Sequence, residues 1–374
     1  ADAAYWFHGK QEGRWISSSY YMEELPKWVI DFNASKAVKS YMNLTWETLY
    51  PIETYTESYD DDNPFEKKFA GKETPTFPYN LNELAPENGY FDLLKETPFG
   101  NNITTDFAIA AIEGEALGKD KITDFLAISY SSPDYIGHSF GVHSKEVQDN
   151  YLRLDKDIER LLNYLDNNVG VGQYTVFLTA DHGVVHNPGY LMSHKIPAGY
   201  MDNNQLQENL KAFAKEHFGN KTCIENVSYG QVFLNKKALK IDAETAQKSI
   251  AEFLLQQPFI EKVFTRTQLE NNTYQKDIGN LIQNGFNQKR SGDVMYVLQP
   301  AVLSTWYKNG GTTHGSGYTY DTHVPLLFFG NGIKKGHTYQ KSEITDIAPT
   351  LSALLGIARP NGVTGRVLVE MLEY

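Results

Sequence analysis

The sequence has a single cysteine, no long apolar run and fewer bases than acids. Cys223 is the one cysteine among 374 residues, which excludes a disulfide framework within the chain and any cysteine-based zinc cluster. No run of eighteen apolar residues occurs, so we expect no membrane-spanning helix. Acids outnumber bases by 46 to 34, with a net charge of -12, whereas proteins that bind a phosphate backbone are usually basic. We therefore expect no nucleic-acid partner.

The rest of the composition is typical of a globular protein, and apolar segments alternate between strand-like and helix-like patterns. This alternation favours an α/β fold. The patterns predict buried strands over residues 122–130, 174–179 and 324–329. Ser144 is the predicted N-cap of a long helix, and Thr345 is the predicted cap of a later helix that stops at Gly356. The first of these helices has apolar positions repeating at three and four: Val147, Tyr151, Leu154, Ile158, Leu161 and Leu165.

The order of these patterns predicts a main α/β domain with an insertion. We assign residues 1–192 to the main domain, 193–303 to an inserted α+β subdomain and 304–374 to the return of the chain to the main domain. Residues 41–100 lack periodicity and are rich in turn-forming residues, so they are predicted to be an irregular surface excursion. Within the insertion, the patterns predict helices over 204–218 and 243–257 and strands over 231–234 and 293–298.

Five potential metal ligands lie in three separate stretches: Asp134, His138, Asp181, His182 and His314. Asp134 and His138 are spaced i, i+4, so one helical turn brings both side chains to one face. Asp181 and His182 are adjacent and converge on an ion only where the chain bends, which Gly183 permits. Two of the three stretches follow predicted strands, where open α/β sheets have their sites. Oxygen and imidazole ligands suit zinc, with manganese and iron as rivals.

These ligands stand in motifs that resemble the alkaline phosphatase superfamily, in particular the bacterial phosphate-irrepressible alkaline phosphatases, which are related to nucleotide pyrophosphatase/phosphodiesterases. The similar stretches cover almost the whole chain. They include Ser131-Ser132-Pro133-Asp134-Tyr135-Ile136-Gly137-His138, Thr179-Ala180-Asp181-His182-Gly183, Gly311-Thr312-Thr313-His314-Gly315-Ser316 and Tyr320-Asp321-Thr322-His323-Val324-Pro325.

The resemblance implies a doubly wound sheet with helices on both faces and a phosphate-monoester hydrolase that uses two zinc ions and a covalent phosphoenzyme. Asp134, His138 and His314 would hold one zinc, and Asp181 and His182 would hold the second. The substrate would be a small-molecule phosphate ester. The resemblance also implies a periplasmic or secreted location.

The family's nucleophile, a Ser or Thr at a helix start, has no convincing counterpart in the chain. Thr104 and Thr105 precede Asp106, but they are predicted to begin a peripheral helix. The second zinc also takes an aspartate from the first strand of the family's sheet. We expect both groups upstream of Ala1, so that the N-terminal part with the first strand is missing and the second site is incomplete. We then expect an unpaired edge in the central sheet and at most trace activity from this chain alone.

Other interpretations stay open at this stage. Within the resemblance, a phosphodiesterase is the first alternative, and a sulfatase or a manganese-dependent phosphoglycerate mutase is less favoured. An alternative of another class is a non-catalytic metal-binding remnant. Trp306 and Tyr307 are predicted either to border a substrate cleft or to pack in the core or at its rim. The other histidines near the motifs are predicted to pack or to lie in solvated loops: His143, His186, His194 and His323.

Overall fold

The computed structural model describes residues 1–10 and 12–373, and its N-terminal part is built from short elements around buried aromatic side chains. These elements are β1 (Trp6–His8), β2 (Arg14–Ile16), α1 (Lys27–Ala34), α2 (Ala37–Met42), β3 (Thr45–Trp46), β4 (Tyr79–Asn80), α3 (Leu81–Leu84) and α4 (Phe99–Gly114). Strands β3 and β4 pair so that Trp46 lies opposite Tyr79, and both side chains are fully buried. The irregular segment 41–100 therefore contributes a core of its own, because its aromatic residues pack together, and is not only a surface excursion.

The segment that carries the first four predicted ligands contains α5 (Ser132–Phe140), α6 (Lys145–Leu165), β5 (Thr175–Thr179) and α7 (Pro188–Ser193). The prediction that Ser144 caps α6 is confirmed, since its hydroxyl accepts a hydrogen bond of 3.1 Å from the backbone N–H of Val147. That bond satisfies one of the unpaired N–H groups at the helix start. The predicted strand over 174–179 is also confirmed, as β5.

The next part of the chain forms a sheet covered by helices. It comprises β6 (Gly199–Met201), α8 (Asn203–Phe218), β7 (Ile224–Ser228), β8 (Gln231–Leu234), α9 (Ala243–Leu255), β9 (Ile260–Thr265), α10 (Arg266–Asn271), α11 (Asp277–Gly285), β10 (Val294–Leu298) and β11 (Val302–Ser304). The strand order is β7-β8-β10-β9, and all of these pairs are antiparallel. Leu210, Ile250 and Leu254 are fully buried in the core of this part. The predicted helices and strands of this part are confirmed with small changes in their ends.

The last elements are α12 (Thr319–Thr322), β12 (Leu326–Gly330) and α13 (Ile347–Leu354). Gly356 ends α13 with a positive φ of 63°, as expected for a helix stop. The prediction that Thr345 caps this helix is wrong. Thr345 lies inside a turn of 3-10 helix before α13, and the turn is closed by Asp346, whose carboxylate accepts the N–H of Glu343 at 2.9 Å.

The predicted strand over residues 122–130 is wrong. The segment is irregular, and most of its side chains are exposed, including Phe125 and Leu126. Strand β5 pairs with β12 in antiparallel register, and neither strand has another partner among the described residues. An apolar segment forms a central strand only where neighbouring strands accept and donate its backbone hydrogen bonds. Both outer edges of this two-stranded sheet are unpaired within the described residues.

Helix α6 buries the face that the sequence predicts to be outside. Asp149 and Asn150 are fully buried against the N-terminal part, whereas Tyr151 of the apolar stripe is 55% exposed. The carboxylate of Asp149 accepts hydrogen bonds from the indole of Trp46 at 2.7 Å and the hydroxyl of Tyr55 at 2.5 Å. The polar face is thus satisfied by specific partners, and the apolar stripe is only partly buried.

Several large apolar side chains around the β5-β12 pair are exposed, and we call them together the uncovered apolar face. They belong to the 122–126 segment and to β12: Ile122, Phe125, Leu126, Leu327 and Phe329. The 122–126 segment lies against one side of the pair, since the Phe125 and Phe177 rings are 6.3 Å apart and the Phe177 and Phe328 rings 5.9 Å apart, whereas Leu327 and Phe329 alternate with Phe328 and point to the other side. Exposed patches of this kind mark surfaces that contact something else.

No helix in the described part of the chain has the length and apolarity needed to cross a bilayer.

Candidate metal centre

The first two predicted ligands are positioned by α5. Pro133 stands in the first turn of this helix, where its missing N–H costs nothing. Asp134 and His138 then fall one turn apart, and the Nε2 atom of His138 lies 3.3 Å from Oδ1 of Asp134. The sequence spacing is therefore realised as one face of a helical turn.

His314 reaches the same place from a loop that precedes α12. Its Nε2 atom is 3.6 Å from Oδ1 of Asp134. The ligand atoms of Asp134, His138 and His314 all lie within 4.8 Å of one another. Three half-buried side chains from distant parts of the chain thus converge on one point, and their role as metal ligands stays a prediction.

Thr312 fixes the His314 loop against α5. Its carbonyl oxygen lies 2.8 Å from Nδ1 of His138, and its N–H donates to the carbonyl of His138 at 3.3 Å. The hydroxyl of Thr312 donates to the carbonyl of Val185 at 2.5 Å. The bond at Nδ1 selects the tautomer of His138 that leaves Nε2 free to bind a metal.

Asp181 and His182 follow β5 and border the same point. The Nε2 atom of His182 lies 3.9 Å from Oδ1 of Asp134 and 3.5 Å from Oδ2 of Asp181. The Asp181 side chain is 89% exposed. Gly183 makes the bend possible, because a Cβ atom there would collide with the carbonyl oxygen of Tyr320. The structure therefore places all five predicted ligands at one centre, with Asp181 at its rim.

The charges of these groups are coupled. Burial on its own would raise the pKa of Asp134, but the imidazole of His138, together with His314 and His182, holds that pKa below its usual value. The hydrogen bond with Asp134 raises the pKa of His138. Burial lowers the pKa of His314, and neighbouring His182 lowers it further. Asp134 is thus kept ionised and His314 neutral, which are the forms that bind a cation.

The donor set fits a metal ion by its chemistry. A carboxylate oxygen and imidazole nitrogens with no sulfur are the ligands that zinc, manganese and iron accept. Three convergent protein ligands leave a coordination position open, as catalytic zinc sites do, whereas structural zinc sites usually close with four.

Two charged residues that the sequence did not single out as functional also belong to the centre. Asp321 is buried behind the His314 loop and accepts hydrogen bonds from it. Lys67 donates its backbone N–H to the carbonyl of Ser139, at the end of α5, at 2.9 Å. The Asp321 motif was visible as part of the resemblance, whereas nothing in the local sequence of Lys67 marks it, because only the fold brings it to the ligand helix.

Tyr307 and Trp306 border this centre. The ring of Tyr307 lies 6.5 Å from that of His138, with the two planes 22° apart. The ammonium group of Lys67 is 4.6 Å from the Tyr307 ring and 6.0 Å from the Trp306 ring. Trp306 is largely exposed. The two residues therefore lie at the edge of the predicted ligand cluster and not in the core.

The remaining histidines near the motifs do not join the ligands. His143 stacks on His186 with ring centroids 4.7 Å apart, beside a small cavity that is also lined by Glu66. His194 and His323 are exposed. Thr104 and Thr105 lie inside α4, where the hydroxyl of Thr104 donates to the carbonyl of Gly100 at 2.7 Å and that of Thr105 to the carbonyl of Asn101 at 3.2 Å.

The chain is similar to several known proteins. A model of the family "type I phosphodiesterase / nucleotide pyrophosphatase" matches residues 2–323. A protein of Myroides odoratus named calcium-transporting ATPase is 43% identical over 100% of this chain and 69% of its own length. The alkaline phosphatase PafA of Elizabethkingia meningoseptica is 40% identical over 99% of this chain and 67% of its own.

The crystal structure of wild-type alkaline phosphatase PafA superimposes with a TM-score of 0.93 at 40% identity, and the match covers 99% of this chain and 71% of that one. The predicted α/β fold of the alkaline phosphatase type is thereby confirmed. The chain belongs to the type I phosphodiesterase/nucleotide pyrophosphatase family, within the alkaline phosphatase superfamily of phosphate-ester hydrolases.

Proposed function

We propose that this chain carries the zinc centre of a phosphate-monoester hydrolase of the alkaline phosphatase type. The observation that supports this most is the convergence of Asp134, His138 and His314 within 4.8 Å. His182 stands beside them, 3.9 Å from the same carboxylate oxygen of Asp134. Ligands for two adjacent cations are thus gathered around one carboxylate.

In this proposal, Asp134, His138 and His314 hold one zinc, and Asp181 and His182 contribute to the second. A pair of cations about 4 Å apart neutralises a phosphoryl group and stabilises both the attacking and the leaving oxygen. The chain's own residues orient these ligands: Thr312 fixes the tautomer of His138. Lys67 adds a positive charge near the open side, where an anionic ester would approach.

A covalent phosphoenzyme requires a hydroxyl nucleophile, which we propose is supplied by a further segment. The hydroxyls of Thr104 and Thr105 are bonded to the α4 backbone and are poor candidates. In this proposal the segment contains a strand that pairs with the free edge of β5 and ends near Asp181. It packs on the uncovered apolar face. We propose that the second site is completed by the same segment and that this chain alone turns over substrate only at a trace level.

A phosphodiesterase is the second candidate, because the family's own description names that activity. Monoesters and diesters differ in charge, since a monoester carries up to two negative charges at the phosphoryl group and a diester one. The charge of Lys67 favours the monoester. We also propose the periplasmic or secreted location that the family resemblance implies, which fractionation of the source cells would test.

The deciding experiment uses the purified chain loaded with zinc. We expect it to bind inorganic phosphate in calorimetry, and we expect a His314→Ala variant to lose that binding. Turnover of p-nitrophenyl phosphate should be at most a trace and should exceed turnover of bis-p-nitrophenyl phosphate. Preference for the diester would favour the second candidate, and robust turnover by the chain would mean that its nucleophile lies within these residues.

A zinc-loaded chain that binds neither phosphate nor its analogue vanadate would argue for the remaining alternative, a metal-binding protein without catalysis. His194→Ala is the matched control, because this exposed imidazole lies outside the centre. It should retain the phosphate binding of the unsubstituted chain.

A further inference from the structure

A buried carboxylate behind the His314 loop is not explained by its role in folding alone. Asp321 lies in α12 and is 4% exposed. Its Oδ2 atom accepts three hydrogen bonds from the two residues that follow His314: from the N–H of Gly315 at 3.0 Å, and from the N–H and the hydroxyl of Ser316 at 2.7 Å each. One oxygen therefore holds the chain immediately after a predicted ligand.

The main chain of Asp321 holds the other ligand loop. Its carbonyl oxygen accepts a hydrogen bond of 2.6 Å from the N–H of Gly183, the residue after His182. The Nδ1 atom of His182 lies 3.0 Å from the carbonyl of Gly183. Asp321 is thus bonded to both loops, through its side chain to the one with His314 and through its backbone to the one with Asp181 and His182.

The second carboxylate oxygen of Asp321 is buried and has no hydrogen-bond partner within residues 1–10 and 12–373. Neither ring nitrogen of His314 donates a hydrogen bond within the same residues; its Nε2 faces Asp134 at 3.6 Å. An unused buried acceptor in α12 therefore belongs to the carboxylate that binds the two residues after His314.

Histidines that bind a metal through one nitrogen usually donate the other N–H to a carboxylate or a carbonyl, which fixes the ring and raises its basicity. His138 already has such a partner in the carbonyl of Thr312. His314 has none of this kind in the described part of the chain. Burying an unpartnered carboxylate oxygen is costly. A hydrogen-bond donor from the adjacent His314 loop would remove that cost for Oδ1 of Asp321.

We propose that Asp321 is the positioning residue of the metal centre: it ties the two ligand loops together through Oδ2 and its carbonyl, and in the metal-loaded protein its Oδ1 atom would accept the second N–H of His314. This inference rests on the proposed metal-binding role of His314. It assigns Asp321 no contact with substrate.

Asp321→Asn separates the two roles of the side chain. The amide keeps one oxygen for the N–H groups of Gly315 and Ser316 but replaces the other acceptor by a donor. We expect zinc affinity, measured by competition with a chromogenic chelator, to fall by about 10- to 100-fold. The absorption spectrum of the cobalt-loaded variant should also change at equal occupancy, because the geometry around His314 changes.

Asp293→Asn is the matched control. Asp293 is also buried and accepts a backbone hydrogen bond, of 2.9 Å from Leu234, but it lies in the β7-β8-β10-β9 sheet. It should lower the melting temperature of the metal-free protein and leave zinc affinity and the cobalt spectrum unchanged. A merely structural Asp321 would behave in the same way, so an Asp321→Asn variant with normal affinity and spectrum would overturn the proposal.

If Asp321→Asn does not fold, Ser316→Ala tests the Oδ2 contacts to the His314 loop, which are the other half of the proposal. This change removes one hydrogen bond to Oδ2 and should weaken zinc binding by about threefold to tenfold, the equivalent of one ordinary hydrogen bond. Unchanged zinc binding would then count against the proposal. Neither measurement depends on hydrolysis, so a failure of the phosphatase proposal would appear separately, as lost phosphate binding by a zinc-loaded protein.

Discussion

The imidazole rings of His182 and His314 stack face to face, with centroids 3.3 Å apart and planes 11° from parallel. The family resemblance assigns these residues to different predicted metal sites, one after β5 and the other before α12. Their contact means that the two predicted sites are adjacent. We therefore expect a change in one ligand loop to affect the other. The hydrogen bond from Gly183 to Asp321 also links the two loops.

Replacing His314 by Ala should remove one of three convergent ligands and lower bound zinc by about one equivalent per chain. Elemental analysis of the dialysed protein measures this. His182→Ala should leave that zinc bound and weaken zinc binding at the second predicted site. The two variants therefore report on different sites. Zinc content that is unchanged in His314→Ala would refute the assignment.

The uncovered apolar face should make the isolated chain self-associate and bind apolar dyes, because it exposes several large apolar side chains beside a strand with an unpaired edge. Replacing both Leu327 and Phe329 by Ser should lower dye fluorescence by roughly half and reduce association in sedimentation. Zinc content should not change. The control is Tyr229→Ser, since Tyr229 is 99% exposed but lies in the turn between β7 and β8. Equal effects of both changes would contradict a special role for this face.

The stability of the protein should fall as pH rises, because of two buried carboxyl groups. Burial raises the pKa of Glu66, and the nearby charge of Glu146 adds to the rise. Burial also raises the pKa of Glu146. A carboxyl group whose pKa is higher in the folded state binds more protons there than in the unfolded chain. Its stabilising contribution is complete below the ordinary value near 4 and is lost as pH rises through the raised value.

Glu66→Gln should therefore flatten the fall in melting temperature between about pH 5 and pH 9 and gain at least about 1 kcal/mol at the alkaline end. Both carboxylate oxygens of Glu66 lack partners in the described part of the chain, so the amide loses no bond there. Thermal unfolding across this pH range measures the effect. An exposed acid, Glu225, provides the control, and equal profiles for Glu66→Gln and Glu225→Gln would exclude the buried pair as the cause.

Lys67 should contribute to anion binding at the centre. Its ammonium group has no hydrogen bond or ion pair among the described residues and lies over Tyr307, near His138. We expect Lys67→Met to weaken binding of inorganic phosphate to the zinc-loaded chain by about tenfold, the usual effect of losing a charged hydrogen bond. Calorimetry measures this.

The neighbouring Lys68→Met is the control for that substitution, since Lys68 is exposed and donates to the carbonyl of Glu73 at 3.3 Å. It should bind phosphate normally. Equal losses in the two variants would show a general effect of net charge and would remove Lys67 from the site.

Features that depend on neighbours along the chain could be predicted from local patterns. The i, i+4 spacing of Asp134 and His138 was enough to predict one face of a helical turn, and Ser144 was enough to predict where α6 begins. Strand β5 and the helices of the inserted part were also predictable, because their apolar periodicity is local. The five ligand positions could be singled out for the same reason, as short motifs with a recognisable order.

Burial of the apolar segments and support of the ligands depend instead on contacts between segments that are distant in the chain. Residues 122–130 have the composition of a strand, yet a strand forms only where other strands complete its hydrogen bonds, and those partners are remote in sequence or absent from the described residues. The apolar stripe on α6 is partly exposed because the opposite face of the helix is buried. On that face, Asp149 accepts hydrogen bonds from Trp46 and Tyr55. Lys67 reaches the centre, and Asp321 links its two ligand loops, only through contacts between distant segments, which no local pattern encodes.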